Sequence, residues 1–331
     1  MSITDNTDFA DRGAGRSIDW KMPVAIAVLL GLMVVAPFVA YPIFVMKLLC
    51  FALFASAFNM LLGYTGLLSF GHATFFGGAA YATAHAAKVW GLEPLTAILF
   101  GTICAAAMGA AMGIVAIRRQ GIYFAMTTLA LSQMAYFLFL RAPFTHAEDG
   151  IQNVPRGRLL GMIDLGETMA MYGLVCAVFL VGMAVIWRIV HSPFGQVLKA
   201  IRENEARAIS LGYRVDRYKL GAFVMSAALT GLAGSTKALV FQIATLNDVA
   251  WHMSGEVILM TLLGGVGTVL GPIVGAGVIV AIQNMFATTG FPVSVIMGAI
   301  FVICVMLFRK GIVGTLGQYL RQTRRDPGAK E

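Results

Sequence analysis

Charge is what this sequence has least of. Only 12% of its 331 residues are Asp, Glu, Lys or Arg, while 59% are hydrophobic. Soluble domains carry about twice that share of charge. The 24 basic and 16 acidic side chains cannot cover the surface of a soluble globule of this length. Two soluble domains, which length alone would allow, are excluded, and so is disorder. Proline is scarce at 10 residues and glycine abundant at 37, a balance suited to helices packed closely in lipid. The four cysteines (Cys50, Cys104, Cys176 and Cys304) lie inside apolar runs and read as small buried hydrophobes, neither disulfides nor metal ligands.

Catalytic patterns are missing too. There is no H-E-x-x-H, no paired-Cys motif and no G-x-S-x-G. His72, His85, His146, His191 and His252 show no ligand spacing. An enzyme and a metal site are therefore not expected. No G-x-x-x-x-G-K-[ST] phosphate loop occurs, so any ATP that drives this chain is bound by another polypeptide. Acids inside the apolar runs are missing, which counts against a proton-coupled pump or another stand-alone secondary transporter.

Long apolar runs are what the chain does have. A helix needs roughly 20 apolar residues to cross the hydrocarbon core. Met22–Ala40, Ile43–Leu62, Leu95–Ile117, Ile122–Leu140, Thr168–Trp187 and Tyr218–Ala244 meet that length, and His72–Ala87 and Val293–Phe308 are shorter. Glu256–Gln283 is too long for one straight span and is crowded with glycine. Arg12, Arg16 and Lys21, then Arg118 and Arg119, then seven basic residues from Arg188 to Lys219, then the tail beyond Phe308 form four basic clusters. The positive-inside rule puts all four on the cytoplasmic side, and it also removes nucleic acid as the reason for the net charge of +8. Parity then requires the 256–283 block to break into two short crossings. The expected fold is an all-α, polytopic integral membrane protein with about ten transmembrane segments and both termini cytoplasmic: a tail at 1–21, a transmembrane domain at 22–308 and a tail at 309–331. The polar, Asp-bearing first 19 residues do not read as a cleavable signal peptide. Short Gly-interrupted segments at 71–87 and 255–268 hold similar places after a long span. They point either to an inverted repeat around a transport path or to two close-packing glycine patches.

The basic loop at 188–217 is the most informative stretch. Ser192 fits an N-cap and Pro193 the first helical position. Val197, Leu198 and Ile201 then share one face of an amphipathic helix, and Gly212 suits a helix C-terminus. The apolar stripe must dock on the protein's own base, the membrane surface or another chain.

This loop, SPFGQVLKAIRENEARAISLGYRVDRYKL, resembles the coupling loop of the permease subunits of branched-chain amino-acid ABC transporters. Three further stretches, GYTGLLSFGHATFFGGAAY at Gly63–Tyr81, GIYFAMTTLALSQM at Gly121–Met134 and SGEVILMTLLGGVGTVLGPIVGA at Ser254–Ala276, are similar to other segments of that family, of the longer, M-type permease. The resemblance implies a bacterial inner-membrane importer with a second, different permease, two ATPase subunits and a periplasmic or lipid-anchored solute-binding protein. It implies that the chain holds no cofactor of its own, ATP being bound by the partner ATPases. It also implies that Phe194, Gly195, Ala200, Ile201, Arg202, Glu203, Asn204, Glu205 and Gly212 form the ATPase contact: Gly195 allowing close approach, Arg202 and Glu203 making polar contacts, and Ile201 filling an apolar notch. Thr65, Ser69, His72, Gly77, Gly264, Gly265 and Gly267 are the candidates for the translocation path or its hinges. Related permeases carry branched-chain and other amino acids, urea, short amides and aromatic acids.

Single residues carry further expectations. Lys237 departs from the small or aromatic residue of the family. It stands roughly 28 Å up its span at ~1.5 Å per residue, and a snorkelling side chain is expected there. His72 is expected to make a helix-end hydrogen bond, and Glu256 to cap a helix N-terminus. Glu148 and Asp149 lie in a loop that is either plainly solvated or a landing place for basic residues of a binding protein.

Overall fold

The computed structural model describes residues 40–159, 161 and 163–286, with scattered positions at 31–37, 295–302 and 311–313. The expected spans Met22–Ala40 and Val293–Phe308, the tails and Cys304 lie outside, or almost outside, the described residues. The bundle that begins at Pro42 is a compact unit of its own.

The bundle is helical. Its elements are α1 (Pro42–Thr65), α2 (His72–Lys88), α3 (Pro94–Ala116), α4 (Ile122–Arg141), α5 (Thr168–Val190), α6 (Pro193–Glu203), α7 (Glu205–Ser210), α8 (Val215–Phe241), α9 (Trp251–Gly264) and α10 (Gly271–Phe286). Among the described residues five helices, α1, α3, α4, α5 and α8, are long and apolar enough to cross a membrane. Each coincides with an apolar run read from the sequence, to within a turn at its ends. Helix α1 is apolar on every side, and such a helix belongs in a core. Its most apolar stretch is 83% buried, against 22% for α4, so α1 with α8 forms the centre and α4 the rim. Around them Phe75, Phe124 and Phe223 interlock edge to face. Cys50 is buried, Cys104 and Cys176 are partly so, and all three are free thiols.

The block at 256–283 does break, as its glycines require. Helix α9 starts earlier than expected, at Trp251, and ends at Gly264. Helix α10 resumes at Gly271. Between them Gly265 and Gly267 adopt φ of 120° and 80°, values closed to most side chains. At 14 and 16 residues, or about 21 and 24 Å at 1.5 Å per residue, neither helix alone matches a full hydrocarbon core. They pack as a tight pair: a Cβ at Gly275 would run into the Met260 carbonyl and lie 2.9 Å from the Gly264 nitrogen.

A second non-helical passage, residues 66–71, links α1 to α2 within the bundle. Unpaired backbone is costly in an apolar interior, so its donors need partners. Side chains supply them. Thr65 Oγ1 accepts from Leu67 N (3.4 Å), Thr128 Oγ1 from Phe70 N (3.1 Å), Ser69 Oγ from Gly71 N (3.2 Å) and Ser254 Oγ from Ala73 N (2.9 Å). The bond from Gly71 closes the passage on itself, and the bond from Ala73 ties the start of α2 to α9.

The connections opposite the basic loops carry the only strands among the described residues. Ile151–Gln152 (β1) pairs antiparallel with Ile243–Ala244 (β4), with Ile151 opposite Ala244. Arg158–Leu159 (β2) pairs with Ile163–Asp164 (β3). These two-residue ladders are small additions to the expected all-α fold.

The α9–α10 packing yields a paired test. Gly275→Val should abolish a monodisperse peak of detergent-extracted protein in size-exclusion chromatography. Gly277→Ala, where a Cβ meets nothing within 4 Å, should leave that peak unchanged. Equal behaviour of the two variants would contradict this packing.

Candidate functional site

The coupling-type loop folds as two short helices. Ser192 caps α6, its Oγ accepting from Gly195 N at 3.3 Å, with Pro193 in the first turn. Asn204 separates α6 from α7 and caps the latter, its Oδ1 accepting from Arg207 N at 3.0 Å. Gly212, at φ 86°, closes the pair in the left-handed conformation of a helix C-terminus. Three alternatives were open for the apolar stripe, and the structure selects the protein's own base. Leu198 joins the main core beside Phe223, while Ile201 packs with Ala208 and Val215. Phe194 stacks on Tyr218 with ring centroids 5.5 Å apart.

Several residues that the resemblance assigns to a partner contact therefore have partners within the chain. Ile201 is 3% exposed, so the notch it fills is intramolecular. Gly195 does permit a close approach, but to the Ile189 and Val190 carbonyls at the turn from α5. Arg202 is exposed, yet its guanidinium donates to the Gly63 carbonyl at the end of α1. Glu205 forms an ion pair with Lys219 at 2.7 Å and accepts from Gln120 Nε2 at 3.1 Å. What the loop presents outward is Ala200, Glu203, Asn204 and Gly212, and a second apolar set, Ile209, Leu211 and Tyr213, which are 57%, 69% and 40% exposed. The sequence signal for this set was present, an alternation at 209–213 flanked by Arg207 and Arg214, but the stripe in α6 is the stronger pattern.

The path candidates divide differently. Thr65, Ser69, His72, Gly77, Gly264 and Gly265 are buried between helices of the chain itself, and Gly267 is half-buried. Thr65 Oγ1 donates to the Leu61 carbonyl at 2.5 Å. Gly77 lies against Asp248 and Val249, whose backbone leaves no room for a Cβ. His72 makes no helix-end bond. Its Nε2 meets Ser226 Oγ on α8 at 2.9 Å, among Phe58, Phe75 and Phe223. The Ser226 hydroxyl also reaches the Ala57 carbonyl of α1 at 2.7 Å. The two glycine-rich stretches do meet: Gly63 abuts Gly267, and Asn59 bonds the backbone on either side of it.

Lys237 corrects the snorkelling expectation. Its Nζ lies 2.6 and 2.8 Å from the two carboxylate oxygens of Asp248, and the side chains are 11% and 4% exposed. Asp248 also accepts from the Thr245 amide and hydroxyl. The pair pins the turn 246–248, which precedes α9, against α8. The sequence places Asp248 in a loop, and nothing local shows that this loop folds back onto the bundle. Glu256 does not cap a helix either: it sits in the second turn of α9, where its carboxylate accepts from Gln283 Nε2 at 2.9 Å. Arg156, unremarked in the sequence, does the end-capping, donating to the Val240 carbonyl of α8 at 2.8 Å. Glu148 and Asp149 are exposed.

An apolar cleft of about 560 Å³ opens between α3 and α4, lined by Met108, Met112, Leu131, Met134 and Phe139, with Arg141 at its edge.

A multi-helical bundle, a docked two-helix loop on its basic end and a broken late helix together define a membrane permease component. Residues 40–308 match the model of the family described as branched-chain amino acid transport system / permease component, and the chain belongs to that family. The family is one of transport subunits rather than enzymes. The chain is 26% identical over 278 residues to the high-affinity branched-chain amino acid transport system permease protein LivM of Escherichia coli K12 and to that of Salmonella typhimurium LT2, covering 77% of this chain and 65% of each relative. It thus spans about 65% of the length of these curated relatives. It is also 27% identical over 173 residues to the ribose import permease protein RbsC of Bacillus subtilis 168, across 49% of this chain and 50% of that one. No solved structure matches.

Breaking the buried pair leaves a charge without its partner, which costs about 3–5 kcal/mol. Lys237→Met should therefore lower the melting temperature of the detergent-solubilised protein. The double change Lys237→Met with Asp248→Asn should recover at least part of the loss. A single variant as stable as the wild type would contradict a structural role for this pair.

Proposed function

We propose that the chain is the M-type permease subunit of an ABC importer in the bacterial inner membrane, with a branched-chain amino acid as its cargo. It works with a second, different permease, two ATPase subunits and a periplasmic or lipid-anchored solute-binding protein. The observation that carries this reading is the loop at 193–212. It is folded and braced on its own bundle, and it leaves Ile209, Leu211 and Tyr213 uncovered on a basic surface. An apolar set of this kind at a polar end needs a protein partner. Because the chain has no phosphate loop, that partner is the motor.

In this reading ten segments cross the bilayer with both ends in the cytoplasm, and the halves containing α2 and α9 form an inverted repeat. ATP-driven closure of the motor subunits pushes on the loop. The bundle rocks against its partner permease, and the path between them opens to one side and then the other. Glu203, Asn204 and Gly212, with Ile209, Leu211 and Tyr213, are the contact surface. Ile201 and Gly195 make that surface rigid from beneath.

The cargo is argued from the relatives and from chemistry. The two LivM relatives carry branched-chain amino acids in their names, and the ribose permease matches a shorter stretch. The cleft beside α4 offers methionine, leucine and phenylalanine side chains with one guanidinium at its edge. That set suits an aliphatic side chain and a carboxylate better than the hydroxyls of a sugar or the small polar body of urea.

The test uses the assembled importer in proteoliposomes. Radiolabelled leucine should enter, excess isoleucine or valine should compete, and ribose or urea should not. Leu211→Glu, at an exposed position, should leave the permease folded yet strip the ATPase from the complex during co-purification. Competition by ribose alone would overturn the cargo. An ATPase that stays bound to the Leu211→Glu variant would overturn the contact surface.

A further inference from the structure

Helix α1 ends at Thr65, so its last carbonyls have no partner within the helix. Leu62 O is taken by Gly66 N. The next amide that would reach Gly63 O belongs to Leu67, and it bonds Thr65 Oγ1 instead. The Gly63 carbonyl is therefore open, at the negative end of a helix, and the Arg202 guanidinium occupies it. Arg202 comes from the last turn of α6. Its stem also crosses Gly66, where a Cβ would lie 3.4 Å from Arg202 Cγ.

One turn before Gly63, on the same face of α1, stands Asn59, which is 2% exposed. Its Oδ1 accepts from Gly267 N at 2.9 Å, and its Nδ2 donates to Thr268 O at 2.7 Å. One amide thus satisfies a donor and an acceptor of the irregular backbone between α9 and α10. Gly63 packs so tightly here that a Cβ would lie 2.7 Å from Gly267 N. The guanidinium of Arg202 reaches the same place, 3.3 Å from a Cβ built on Gly267. The end of α1 is therefore a single node, bound on one side to the loop helix α6 and on the other to the break in the late helix pair.

We infer that Asn59 and Arg202 are the positioning residues that carry motion of the coupling-type loop into the α9–α10 break. Arg202 acts on the permease's own α1 rather than on the ATPase. Shifting α6 moves the end of α1, and Asn59 passes that shift to the backbone at Gly267 and Thr268. That backbone turns at positive φ at Gly265 and Gly267, and its own bonds are those of a local turn closed by Thr268, whose amide and hydroxyl donate to the Gly265 carbonyl. This inference rests on the loop being the motor contact.

The test measures two quantities on the complete importer in proteoliposomes with its binding protein: ATP hydrolysis and radiolabelled leucine uptake. Asn59→Ala should keep the ATPase bound and hydrolysis within about twofold of wild type, while uptake per ATP falls about tenfold. Arg202→Met should behave alike, Arg202→Lys should recover part of the coupling, and the double variant should be no worse than Asn59→Ala alone. Uptake per ATP within about twofold of wild type in both single variants would overturn the relay. So would a parallel fall of hydrolysis and uptake, the mark of a merely structural role. Should Asn59→Ala fail to accumulate, Arg202→Met, at an exposed residue, decides by the same readings. Failure of the wild-type chain to bind the ATPase would instead overturn the importer reading itself.

Discussion

The need to pair every buried backbone group governs this protein. A helix does so internally, and a chain made only of full-length apolar helices would have no further problem to solve. This one interrupts its helices at 66–71 and at 265–270, where the backbone needs partners other than its own helix. Each interruption is held by side chains reaching over from other helices: Thr128 and Ser254 for the first, Asn59 for the second. These few polar residues, set in long apolar sequences, determine where the chain can leave the helix.

The same bonds join elements that are far apart in sequence. Ser254 ties α9 to the start of α2, and Asn59 ties α1 to the α9–α10 break. Lys237 and Asp248 add an ionic clamp that holds the entry to α9 in place. The result is a bundle in which α1 is central and the broken elements lean on it. The long helices define the body, and the two short non-helical passages are pinned against it. The loop at 193–212 rests on that body, with its own apolar stripe buried beneath it.

Much of this was legible in the sequence. Long apolar runs placed the membrane-length helices to within a turn at their ends, because length and hydropathy together decide what can span lipid. Crowded glycines and the parity of basic loops required the break in the late segment. Ser192 and Pro193 announced the start of α6. Misreadings came where a partner lies far along the chain. Arg202 reads as an outward-facing polar residue, yet its guanidinium meets the end of α1, 139 residues earlier. Lys237 reads as a lone cation until the segment bearing Asp248 folds back onto α8. His72 has local hydroxyls beside it and bonds a distant one, Ser226. Asn59, near the end of an apolar run that also holds Lys47 and Ser56, carried no signal of its own.

The motor dependence of transport is open to a direct measurement. Proteoliposomes holding the whole importer can be loaded with ATP, and the ATPase subunits replaced by a form that binds nucleotide without hydrolysing it. If this chain is moved by a separate motor through its loop, leucine accumulation stops with hydrolysis while the complex stays assembled. Accumulation that continues at the wild-type rate without hydrolysis would contradict that mechanism and return the chain to the class of self-sufficient transporters.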